Sequence, residues 1–142
     1  MTQRKRTIAL TLAALVAMPA GLALARQGGR GGGGGGVIVA GSCGKGATSK
    51  LKVAPDSGRL EVEFEVDQNR NGVRWNVVIT HERRIAVQGR RVTQAPSGSF
   101  AVDLRVADLA GADMVVARAT SPNGISCRAI ATLPAGAGRA HD

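Results

Sequence analysis

Arg59-Leu60-Glu61-Val62-Glu63-Phe64-Glu65-Val66 alternates strictly between apolar and charged side chains. A β-strand turns successive side chains to opposite faces. The run therefore predicts Leu60, Val62, Phe64 and Val66 against a core, with Glu61, Glu63 and Glu65 on the other face. Downstream, Trp75, Val77 and Ile79 form a second buried row opposite Arg74, Asn76 and Val78, and Phe100, Val102, Leu104 and Val106 form a third. Residues 114–120 and 125–133 are apolar, β-branched or small and read as two more strands. Shorter candidates are 37–40, 48–54, 85–88 and 92–94. The breaks between runs are turn chemistry: Pro55-Asp56-Ser57-Gly58, Asn69-Arg70-Asn71-Gly72, Pro96-Ser97-Gly98 and Ser121-Pro122-Asn123-Gly124. Only 107–113 has room for a helical turn. Short strands at such spacing, without helices, predict an all-β antiparallel sandwich of about seven to eight strands over residues 37–133.

Val62-Glu63-Phe64-Glu65-Val66-Asp67-Gln68-Asn69-Arg70-Asn71-Gly72, with Trp75 on the next strand, Gly111-Ala112-Asp113 opening a late strand and Cys127 in the last, resembles the immunoglobulin-like or fibronectin-type family of β-sandwiches. In particular, it is similar to short exported bacterial proteins of unassigned function. The resemblance implies adhesion, scaffolding or interaction and no chemistry, since a fold alone does not fix function. Immunoglobulin domains place their cysteine pair on strands flanking the Trp strand. Here Cys43 and Cys127 lie near the two ends of the domain, and the chain has no Tyr.

Ahead of the domain, residues 1–25 follow the export pattern. Arg4-Lys5-Arg6 gives a charged start, residues 8–16 an apolar run, and Ala23-Leu24-Ala25 small residues for cleavage. Pro19 and Gly21 interrupt the apolar stretch short of the ~20 residues a membrane span needs. A cleaved signal peptide predicts a secreted protein, or one held at the cell surface or wall, with no membrane span after cleavage. Cleavage removes three cations and no acid, taking the net charge from +9 to +6. Residues 26–36 are a glycine-rich linker that keeps the domain clear of the processing site, and 134–142 read as a disordered tail.

Two cysteines in an exported chain make one disulfide most simply, Cys43 to Cys127; two buried free thiols are the alternative. One Trp and two Phe, all on apolar strand positions, leave no ring for stacking bases or sugars. Gly44-Lys45-Gly46 lacks the Ser or Thr of a phosphate loop. Asp67-Gln68-Asn69-Arg70-Asn71-Gly72 matches the first half of a calcium loop, but Val78 stands where a bidentate Glu belongs, and a hairpin turn accounts for the stretch. The Glu61, Glu63 and Glu65 row reads as cross-strand pairing with Arg74 and Arg105 rather than a metal or acid/base site. Ser42, Ser97, Ser99 and Ser126 carry no signal pairing one to His81, and His141 lies in the tail. No cofactor or metal is expected.

Arg83, Arg84, Arg90 and Arg91 bracket one short strand and form the candidate anion-binding patch, alternatively an edge hairpin kept soluble by its charges. The expectation is thus an exported, monomeric, non-catalytic interaction or structural module. A second reading is a binder of an acidic extracellular partner, whether cell-wall glycopolymer, nucleic acid or protein, through that basic edge. A secreted hydrolase or hydrolase inhibitor comes third, without a motif.

Overall fold

The computed structural model describes residues 35–137. The expected signal peptide, all but the last two linker residues, and tail residues 138–142 lie outside them. In chain order the strands are β1 (Val37–Ala40), β2 (Ser42–Cys43), β3 (Thr48–Asp56), β4 (Arg59–Asp67), β5 (Arg74–His81), β6 (Arg84–Val92), β7 (Ser99–Ala107), β8 (Asp113–Thr120) and β9 (Ser126–Leu133). They form two antiparallel sheets, ordered β1-β3-β4-β7 and β2-β9-β8-β5-β6. The short candidates 85–88 and 92–94 are largely one strand, because Gly89 keeps an ordinary strand conformation and nothing at Arg90-Arg91 demands a turn. Residues 107–113 hold no helical turn. Residues 108–112 cross between sheets as an irregular link, with Gly111 at φ 110°.

Period-two alternation decides which side chains meet. Leu60, Val62, Phe64 and Val66 of β4 are all fully buried, facing Trp75, Val77 and Ile79 of β5 and the row Val115, Ala117 and Ala119 of β8. Alanines on β8 and β9 make room for the larger side chains of the opposite sheet. Phe100 is buried with Trp75, ring centroids 6.1 Å apart and tilted by 55°, and Leu104 packs at the core margin. Trp75 donates its Nε1–H to Gln68 Oε1 at 3.2 Å, so the buried indole keeps a polar partner.

Asn69-Arg70-Asn71-Gly72 is not a hairpin turn. β4 and β5 belong to different sheets, and residues 68–73 carry the chain across the sandwich. The segment after β6 clamps this crossover. Buried Thr93 donates its hydroxyl to the Arg70 carbonyl at 2.5 Å and accepts the Val73 N–H at 2.9 Å. Its own backbone exchanges bonds with Gly72 and Val73. Gly98 lies against the same loop, where a Cβ would collide with the backbone of Asn69 and Arg70.

Cys43 and Cys127 are bonded and stand directly opposite each other on β2 and β9, Cα atoms 4.1 Å apart. The link ties a two-residue strand to the last strand within one sheet. After β9, residues 135–137 form a turn and Ala137 packs against the core. The disulfide spans a sequence separation of 84, for which chain entropy alone gives about 4–5 kcal/mol. A Cys43→Ser/Cys127→Ser variant is expected to lose about 3–4 kcal/mol in urea unfolding; a loss under ~1 kcal/mol would show that the clasp does not hold the ends.

Candidate functional site

The hairpin of β5 and β6 fixes where the four candidate arginines go. His81 pairs with Arg84 across a two-residue loop, Glu82-Arg83, and both loop residues have positive φ, 48° and 65°. That is the type I′ pattern, which usually takes Asn-Gly. Glu82 is held by its neighbours: its N–H donates to the Met114 carbonyl at 3.0 Å, and its Oε1 accepts the Met114 N–H at 2.6 Å. Arg83 and Arg84 therefore sit at the hairpin tip. Arg90 and Arg91 lie near the other end of β6, about 20 Å along the strand. Arg90 points outward opposite Asn76, whereas Arg91 takes the inward phase opposite Trp75 at the sheet edge and donates to the Arg90 carbonyl at 2.9 Å. An inward-phase charge on an edge strand blocks sheet-to-sheet pairing. The four do not converge on one site.

Register assembles a different group. Arg118 of β8 and Arg128 of β9 are paired directly, both pointing outward and exposed. Val78 sits beside Arg118, and the neighbouring rank runs Arg90, Asn76, Thr120 and Ser126. Arg74 stands one step further along β5. The outer face of β6, β5, β8 and β9 thus presents Arg74, Arg90, Arg118 and Arg128 across about 14 Å, with Asn76, Gln88, Thr120 and Ser126 between them. No Asp or Glu points out from this face among the described residues, and none of the four guanidiniums has a carboxylate within 4.0 Å there. Two shallow hollows of about 250–260 Å³ open on it, and Asn76 and Arg90 line both.

Opposite lies the outer face of β3, β4 and β7, where Asp56, Glu61, Glu63, Glu65, Asp67 and Asp103 point out against Lys50, Lys52, Arg59 and Arg105. Lys50 meets Glu65 at 3.3 Å and Arg105 meets Asp56 at 2.5 Å. Arg74 is not a partner of the Glu row, since it belongs to the other sheet. Among the described residues no three His, Cys, Asp or Glu side chains come together to hold a metal ion. In the half calcium loop, Asp67 Oδ1 accepts the Asn69 N–H at 2.8 Å, Gln68 is buried on Trp75, and the Arg70 carbonyl is held by Thr93. One oxygen of Asp67 is thus used within the loop itself, and the alternate residues Gln68 and Arg70 are tied into the fold.

His81 and Asp113 form a pair that the sequence reading missed. Nε2 lies 2.5 Å from Asp113 Oδ1, and the same oxygen accepts the Leu109 N–H at 3.4 Å. Asp113 is buried, and His81 is mostly covered. No serine hydroxyl bonds to His81, and both cysteines are oxidised. No helix among the described residues is long and apolar enough to cross a membrane. Compared with known protein families, curated proteins and solved structures, the chain matches none.

Asp113→Ala leaves the His81 ring and the Leu109 N–H without their acceptor. It is expected to cost about 2–3 kcal/mol in urea unfolding, and a change under ~0.5 kcal/mol would show that the pair contributes nothing.

Proposed function

We propose that the protein is an exported, non-catalytic binding module that holds an anionic glycan polymer on the outer face of β6, β5, β8 and β9. The observation carrying this is the direct pairing of Arg118 with Arg128 on a face without acids. Like charges opposite each other destabilise a sheet. A bound anion offsets that repulsion, and guanidiniums suit phosphate, sulfate or carboxylate through paired hydrogen bonds. The acidic residues gather on the opposite face, so the field is directional rather than evenly mixed. All three aromatic rings are buried in the core, which favours a glycan polyanion over single-stranded nucleic acid, whose recognition leans on stacking.

Export is part of the same reading, supported by the pattern of residues 1–25 and by a disulfide suited to an oxidising compartment. We further read the sandwich as immunoglobulin-like, of the fibronectin type. β3, β4 and β7 take the places of strands A, B and E, while β6, β5, β8 and β9 take C′, C, F and G, with Trp75 on C. The disulfide differs from the antibody arrangement, because it joins neighbours in one sheet.

A sulfated or uronate-rich polysaccharide is the probe. Its affinity is expected to fall about tenfold or more between ~50 and ~200 mM salt. Arg118→Ala/Arg128→Ala should weaken it a further tenfold or so while leaving unfolding stability equal or higher. Salt-insensitive binding, or full affinity in that variant, would contradict the proposal. Tighter binding of DNA than of the polysaccharide would move it to another class of partner.

A further inference from the structure

A second site lies at the hairpin tip, away from the arginine face. A groove of about 600 Å³ opens between the β5–β6 hairpin, the end of β7 and the link that follows it. Ile85, Ala86, Val106 and Leu109 form its apolar part, and Ile85 and Leu109 are 62% and 42% exposed. His81, Arg83 and Arg84 form its polar rim. Glu82 also lines the groove, its Oε1 accepting the Met114 N–H, and Asp113 behind the rim is held by His81. Arg83 and Arg84 have no carboxylate within 4.0 Å among the described residues. Asp108 adjoins Leu109 in the chain but does not line the groove.

Backbone strain is an independent observation at the same place. Arg83 holds φ 65° at a loop position where glycine costs least. Lys45, Ser57, Asn69 and Glu82 hold positive φ too, but Arg83 does so in the wall of a groove, and strain of this kind gathers at ligand clamps.

From charge and shape together we infer that this groove binds the C-terminal end of a peptide whose last side chain is apolar. Arg83 and Arg84 receive the terminal carboxylate, and Ile85, Val106 and Leu109 take the last side chain. The volume lies within the usual range for small-ligand sites. Four apolar side chains among four polar ones suit a short peptide, whose amides need partners, better than a long acyl chain. The step involves no covalent chemistry.

The test is an amide-resolved NMR titration of the purified protein with acetyl-Ala-Val-Leu, once with a free carboxylate and once as the C-terminal amide. The acid should bind with a Kd of about 1 mM or tighter, shifting Ile85, Val106 and Leu109, and the amide at least about tenfold more weakly. Arg84→Ala should weaken the acid about fivefold or more. Arg83→Gly should weaken it too, yet raise the melting temperature by about 4 °C, a combination that a purely structural Arg83 does not give. Lys50→Ala, on the opposite sheet, should leave the affinity unchanged. Equal binding of acid and amide, shifts elsewhere, or no binding at ~10 mM peptide would overturn the inference. So would shifts at these residues that follow protein concentration without peptide, which would place a second copy in the groove.

Discussion

Thr93 is the point on which the sandwich closes. Its hydroxyl and backbone bind the crossover between β4 and β5, and it belongs itself to the crossover between β6 and β7. Two connections that pass between the sheets are thereby fastened to each other. Gln68 adds a buried bond to the Trp75 indole, and Gly98 permits the close approach that the clamp requires. With few aromatic side chains in the core, polar fastening at these crossings sets how β5 and β7 face one another.

The outer faces are where the two sheets differ. Core packing constrains every second residue of a strand and leaves the alternate ones free. On the β3, β4 and β7 side that freedom goes to mixed charge: Lys50–Glu65 and Arg105–Asp56 bond, which exposed positions reward only slightly, and Glu63, set against Asp103, has Lys52 on its other side. On the β6, β5, β8 and β9 side it goes to cations with no acids between them. Stability alone gives no reason to set Arg118 against Arg128, and an anionic partner does.

Much of this was legible in the chain. The alternation from Leu60 to Val66 is a period-two signal strong enough to fix a strand and its buried face, and the rows led by Trp75 and Phe100 gave the core. The crossover at 68–73 was not legible, because Asn-Gly turn chemistry serves a hairpin and an inter-sheet link equally well. Whether the flanking strands pair depends on distant partners. The arginine face was hidden differently. Arg83, Arg84, Arg90 and Arg91 are neighbours in sequence but divide between a tip, an outer face and a sheet edge, whereas Arg118 and Arg128 look isolated. A signal for the latter pair did exist. Folding 114–120 and 125–133 as a hairpin about Ser121-Pro122-Asn123-Gly124 brings Thr120 to Ser126 and therefore Arg118 to Arg128. The His81–Asp113 pair carried no such signal, since it joins the end of β5 to the start of β8 across 32 residues.

The most direct test of the central claim is to follow the arginine side-chain Nε–H signals by NMR while a sulfated polysaccharide is added at low salt. Shifts concentrated on Arg74, Arg90, Arg118 and Arg128, and reversed by added salt, are the result this account predicts. Shifts confined to Arg83, Arg84 and Arg91, or spread evenly over all arginines, would contradict it and return the binding surface to the sheet edge or to unspecific charge.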